Sequence, residues 1–451
     1  MLTKQACSAK LVADAYEASF ATQSSKEDVA MIISNAFPRY TEYDPLIPVW
    51  CITPEGGGLH RFFDTSPVSP SGRYLAALRM PELEQVNRPG EAAEVIVVDL
   101  QTAQERVIAT TIGWEPQLGA NINWGADDDS LFYNDVDSVS WQPHVVRINP
   151  STGERRLYDG SIYRISPDGR WIICANTIPM RRTQYGYGIV VPDELVPRNA
   201  GFREDDGLYI TDTVTGERRL LVSLQDVMTR AEPAIDQDKY RHGELYGFHC
   251  KFNPRGDRLL FTMRWFSSEE AQPWNQINKH LDFWVVTMKP DGSDIRVAVG
   301  PEQWCKGGHH INWCPDGEHL SMNLKLYGDN RLLLCKVRYD GTGLHAITEA
   351  LPGSGHPTVH PDGRHILTDT YEREETAFGD GTVPLRWIDL KTETEVAAVR
   401  VNVAHSATRN TSALRVDPHP AWLPDLRHVA FNGYVNGTRR VFIADMGPLL
   451  Q

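Results

Sequence analysis

The stretch His310-Ile311-Asn312-Trp313-Cys314-Pro315-Asp316-Gly317-Glu318-His319-Leu320 decides the fold. An apolar approach runs into Pro-Asp-Gly and leaves as an alternating strand. Proline presets one turn dihedral and glycine accepts a positive φ, so this is a tight turn joining two strands. The same pattern stands at Ser69–Leu75, Gly125–Leu131, Ser166–Ile172, Asn253–Leu259, His360–Ile366 and Leu423–Val429, seven copies in all. A second hairpin follows most copies, as in VIVVDLQTAQERVI at 95–108 and LRWIDLKTETEVAAV at 385–399. Two hairpins per unit make a four-stranded antiparallel sheet, and seven such units around an axis make a propeller. The last unit ends too soon for its fourth strand, and Pro48–Thr53 is expected to supply it. The prediction is therefore an all-β, seven-bladed β-propeller of four-stranded antiparallel blades over residues 48–451, closed by an N-terminal strand. Residues 1–47 are expected to form a helical or extended segment ahead of it, with an amphipathic helix in the first twenty.

The composition narrows the function. The 451 residues carry 45 Lys+Arg against 59 Asp+Glu, a net charge of -14, which argues against a nucleic-acid partner. No apolar run reaches the ~18 residues of a membrane span. MLTKQACSAKLVADAYEASF lacks the apolar core of a secretion signal, and the seven cysteines form no CxxC pair. A cytoplasmic protein with reduced thiols is the expectation, its oligomeric state open. The widest spacing between turns, from Ser166 to Asn253, holds MRRTQYGYGIVVPDELVPRNAGFREDDG, a segment long enough to fold over a ligand cleft.

Aligning the copies on the turn shows a second regularity. Four residues before it stand Asn121, His249, His310, His356 and His419. In a propeller this is the innermost strand of each blade, so these residues should ring the central channel. Neutral imidazoles at converging positions suit a divalent metal, manganese or zinc, and His310, His356 and His419 are the expected ligands, with Asp417 nearby.

The strings HINWCPDG and VDPHPAW resemble the propeller polysaccharide lyases: the oligogalacturonate lyases, and the ulvan and rhamnosyl-glucuronate lyases. The resemblance spans residues 48–451. It implies that His310 stands at an active-site histidine of the oligogalacturonate lyases, and His356 and His419 at manganese ligands. Asp417 stands where that family has a further ligand histidine. Against the ulvan lyase group, WQPHVVRINPSTGERR implies His144 as a substrate-binding or catalytic histidine, and TQYGYGIVVP implies Tyr187 as the catalytic tyrosine. Arg203 then matches an arginine for the substrate carboxylate, and Tyr246 a further cleft tyrosine. Asn121 and Asn123 stand where that group has a proton-transfer histidine.

The implied activity is β-elimination next to a uronic acid in an oligosaccharide, giving an unsaturated uronate. Such a reaction must neutralise the carboxylate, take the C5 proton and protonate the departing oxygen. Arg203, Asn121, Asn123 or a metal could serve the first need. Tyr187, His144 and His310 could serve the others, with His249 and Tyr246 as substrate contacts. The alternative is a non-catalytic, TolB-like propeller that binds a carbohydrate or protein partner.

Overall fold

The computed structural model describes residues 31–267, 280–405 and 412–450. Its strands group into seven four-stranded antiparallel sheets that follow one another along the chain. Within six of them the strands lie side by side in sequence order. The seventh takes its outermost strand from Val49–Cys51, which pairs antiparallel with Thr438–Asp445, Val49 opposite Ala444 and Cys51 opposite Phe442. The ring is thereby closed by the predicted N-terminal strand, which covers a sheet edge that would otherwise stand open.

The turns behave as their chemistry requires. Gly72, Gly169, Gly256, Gly317 and Gly363 all take positive φ, and Leu426 adopts the same conformation (φ 52°) in the last copy, where glycine is missing. Between blades, alternating strand residues pack into apolar seams. The largest runs from Tyr163, Ile173 and Leu208 to Phe261, Met263 and Trp284. Phe37, Tyr40 and Ile47, ahead of the closing strand, are buried against the blades. The helix expected over the first twenty residues lies outside the described residues. No described helix is long and apolar enough to cross a membrane.

The first blade departs from the pattern in a way that shapes the channel. After the short strand Gly58–Leu59, residues His60-Arg61-Phe62-Phe63-Asp64-Thr65 leave the sheet and cross the axis. The Phe62 ring lies 4.7–6.3 Å from the rings of His249, His310, His356 and His419, which belong to the last four blades. Phe62 and Phe63 are fully buried and plug the channel. Buried charges anchor the plug. Arg61 donates to Asp64 at 2.9 Å and, through Nε, to Asn121 Oδ1 at 3.0 Å, and Lys251 Nζ lies 3.0 Å from Asp64.

Candidate active site

In the fourth and fifth blades the ring histidine sits where the innermost strand breaks its ladder. In the strand Gly243–Phe252, Gly247 pairs with Met263 and Cys250 with Phe261, so Phe248 and His249 together face Thr262. In Gly308–Trp313, His309 pairs with Asn323 and Asn312 with Ser321, leaving His310 and Ile311 opposite Met322. Such bulges re-aim a side chain. Asn121 and His419 lie just ahead of the short inner strands Asn123–Trp124 and Ala421–Trp422, and they and His310 have left-handed backbones, φ 49°, 48° and 59°, each costing a non-glycine residue about 1–2 kcal/mol. The His310 and His356 rings stack 3.7 Å apart, and His356 and His419 meet edge-on at 4.3 Å.

Two functions separate within this ring. His356, Asp417 and His419, all buried, offer ligand atoms that lie within 4.8 Å of one another. The His356 Nδ1–H donates to Asp369 at 2.8 Å, which leaves the Nε2 lone pair exposed to the ring. His356 Nε2 and both nitrogens of His419 have no hydrogen-bond partner among the described residues. Orphaned imidazole nitrogens beside a carboxylate, one of them oriented by a second carboxylate, are what a divalent metal site requires. His310 stands apart from this set, contrary to the expectation that made it a ligand. Its Nδ1 is 2.6 Å from the Gly355 carbonyl and 2.9 Å from His309 Nδ1, and its Nε2 is 3.0 Å from the Tyr371 hydroxyl, so its nitrogens face those groups and it is not among the three residues whose ligand atoms cluster. Asp417, expected beside the histidines, is the third member of the set. These three side chains fit a divalent metal.

Above the plug lies a cavity of about 210 Å³. Tyr187, His249, His309, His310 and Tyr371 line it, with Arg264 and Arg415 as its cations. Burial holds His249 and His310 well below the usual imidazole range, so they are neutral. Burial also lowers Arg264, to about 9; its guanidinium stacks over Phe248 and donates to Gln184 Oε1 at 2.7 Å. For Arg415 burial opposes the charge, but Asp417, 2.7 Å from its Nε, overcomes it and raises the pKa. The cavity thus sets two guanidinium groups beside the neutral imidazoles of His249 and His310.

Tyr187, from the long loop between the third and fourth turns, lines this cavity. Its hydroxyl accepts from Arg415 at 3.1 Å, and burial raises its pKa. The next residue, Gly188, donates its N–H to Glu115, a carboxyl that burial pushes well above the ordinary range. Tyr187, His249 and His310 therefore share one cavity.

The other expected residues are placed elsewhere. Arg203 is half-exposed and forms an ion pair with Asp205 at the surface, because the two sit on one side of an extended loop. Tyr246 is fully buried in its blade, stacked on Phe266 and bonded to Glu244. His144 is the second residue of the strand Pro143–Ile148, further out in the second blade, opposite Asp135, with its Nε2 4.0 Å from the carboxylate. Asn121 holds Arg61 of the plug, and Asn123 donates to the carbonyls of Asn121 and Tyr163 at 2.7 and 3.3 Å. None of these five lines the cavity.

Sequence reasoning missed Arg264, Arg415, Tyr371 and the plug. Signals existed: a lone arginine inside the apolar strand Leu259-Leu260-Phe261-Thr262-Met263-Arg264-Trp265-Phe266, and a Phe-Phe doublet set between charges in His60–Thr65.

Fold and site together define a seven-bladed propeller with a buried His/Asp triad and, at its channel, a cavity holding two guanidinium groups. The chain is similar to the oligogalacturonate lyase of Dickeya dadantii (strain 3937), 20% identical over 362 residues, which cover 77% of this chain and 82% of that protein. Among solved structures it is similar to an oligogalacturonate lyase in complex with manganese, at TM-score 0.60 and 16% identity, over 93% of this chain and 100% of that one. It is likewise similar to the oligogalacturonate lyase from Vibrio parahaemolyticus, at TM-score 0.60 and 14% identity, over 93% and 99% of the two chains. No protein-family model matches the chain.

Proposed function

We propose that this protein is a lyase that cleaves next to a uronic acid residue in short oligosaccharides by β-elimination. The observation that carries the reading is the pairing, in one buried cavity, of two guanidinium groups with a neutral imidazole: Arg264, Arg415 and His310. The similarity to oligogalacturonate lyases supports it.

The C5 proton of a uronate is weakly acidic while the neighbouring carboxylate keeps its full charge. Arg264 and Arg415 would bind that carboxylate and hold it more strongly as negative charge spreads into it during proton removal. The low-dielectric cavity strengthens this attraction. Tyr187, fixed by Arg415, would wall the sugar ring and orient it. His310, uncharged and facing the cavity, would take the C5 proton through Nε2. His356, Asp417 and His419 would hold a divalent metal, manganese or zinc, which when bound would draw further charge from the substrate carboxylate. Exclusion of water by the bound sugar would favour elimination over hydrolysis.

The test is the appearance of the conjugated unsaturated uronate, followed by its ultraviolet absorbance, on incubation with galacturonate, glucuronate and rhamnosyl-glucuronate oligosaccharides. A product with that absorbance from any of them, lost in Arg264→Met, supports the assignment. Binding without elimination for all of them would make this a carbohydrate-binding propeller instead.

A further inference from the structure

The proposed reaction leaves one role unfilled. The oxygen departing from C4 must be protonated as it leaves, and two tyrosines face the cavity. We propose that Tyr371 is the proton donor to the leaving oxygen and that it forms a self-resetting pair with His310. This rests on the lyase reading above.

The hydrogen-bond network determines the tautomers. Asn323 Nδ2 donates to the Gly355 carbonyl at 2.9 Å and to His309 Nδ1 at 3.3 Å. His309 Nδ1 is therefore an acceptor, and its Nε2–H points at Glu374 Oε1, 3.7 Å away. The Gly355 carbonyl can only accept, so His310 Nδ1 carries the hydrogen across the 2.6 Å contact. His310 Nε2 is left with a lone pair, and the Tyr371 hydroxyl donates to it at 3.0 Å. Gly355 is held in place by its own crowding: φ is +58°, and a Cβ there would strike the backbone of Asp369. The base lone pair and the tyrosine proton thus meet inside the cavity by construction.

Tyr187 differs in the one respect that matters. Its hydroxyl accepts from Arg415, and its ring lies 6.0 Å from that of His249, with no imidazole hydrogen bond to it among the described residues. It is tied to the carboxylate-binding cation, whereas Tyr371 is tied to the base.

The step balances. The C5–H bond breaks and its proton passes to His310 Nε2. The bonding pair forms the C4=C5 double bond as the C4–O bond breaks, and the departing oxygen takes the proton of Tyr371. The enzyme is then left with an imidazolium and a phenolate joined by the hydrogen bond already present. Transfer of the Nε2 proton to the phenolate restores both residues. No solvent proton is needed.

The experiment compares wild type, Tyr371→Phe and Tyr187→Phe on two uronosides. One carries a sugar at O4, and the other carries a 2,4-dinitrophenyl group there, whose oxygen leaves without a proton. General-acid catalysis contributes roughly 10²–10⁴-fold. Tyr371→Phe should lose that factor on the glycoside and stay within about fivefold of wild type in dinitrophenolate release. Tyr187→Phe should lose activity equally on both. Equal losses on both substrates in Tyr371→Phe, or a loss below about tenfold on the glycoside, would overturn the proposal and leave the lyase reading standing. A leaving-group-dependent loss in Tyr187→Phe alone would assign the donor to that residue instead. If wild type eliminates from neither substrate, the lyase reading itself falls and this inference with it.

Discussion

Asp64 is the residue whose neutralisation should cost this protein most, and the structure says why its partner Lys251 should cost less. The Asp64 carboxylate is buried between Arg61 Nη1 at 2.9 Å and Lys251 Nζ at 3.0 Å. The Arg164 charge adds a third attraction, and together these overcome burial and hold the carboxyl far below the usual range. At an effective dielectric of about 20, each close contact is worth about 5–6 kcal/mol. Asp64→Asn removes both and leaves three cations near the channel with no compensating charge. After subtracting the desolvation that the carboxylate no longer suffers, the net loss should be about 3–5 kcal/mol. Lys251→Met removes one attraction, but it also removes the burial of an ammonium and its repulsion with Arg61 and Arg164, so the loss should be about 0–2 kcal/mol.

The same imbalance has a pH signature. Burial, only partly offset by Asp64, lowers Lys251 from 10.5 to about 8. Between those values the unfolded chain holds a proton that the folded one has lost, so stability rises with pH across that window, by up to about 3 kcal/mol. Urea unfolding at pH 7 and pH 9.5 measures both effects, and most of the rise should be absent in Lys251→Met. If Lys251→Met destabilises as much as Asp64→Asn, or if the wild type loses stability from pH 7 to 9.5, the charge accounting of the plug is wrong.

Three further outcomes follow from the same geometry. Asp369→Asn, which loosens the orientation of His356 without removing a ligand, should weaken manganese or zinc binding about 10–100-fold in equilibrium dialysis; unchanged affinity in both Asp369→Asn and Asp417→Asn would refute the triad. Arg264→Met should lower kcat/KM by about 2–4 kcal/mol in transition-state terms, acting on kcat and KM together, because the carboxylate is held in the ground state and more strongly later; a change in KM alone would limit Arg264 to binding. Removing residues 1–53 exposes the edge of Thr438–Asp445 and should drive aggregation, seen by size-exclusion chromatography and light scattering; a monodisperse, cooperatively folding product would mean the closing strand is dispensable.

The propeller was legible in the sequence because its determinants are local. Each Pro-Asp-Gly turn acts within a few residues, the alternation of each strand is read along one segment, and the repetition supplies the ring. The closing strand was legible too, since a unit short by one strand must find it elsewhere. The register of Asn121, His249, His310, His356 and His419 likewise follows from counting to the turn. What the counting could not supply is which neighbours each side chain meets. His310 and His356 share a register, yet one has its second nitrogen taken by Tyr371 while the other points a free one at Asp417 and His419, because loops of different blades converge there. Arg203 and Tyr246 carry the right chemistry in the right stretch, but one extended loop and one apolar seam turn them away from the cavity. Arg264, Arg415 and Tyr371 enter it from three separate blades, with 150 residues between the first and second. Closure of the ring alone brings them within reach of one substrate, and a contact made by closure leaves no mark in any local stretch of sequence.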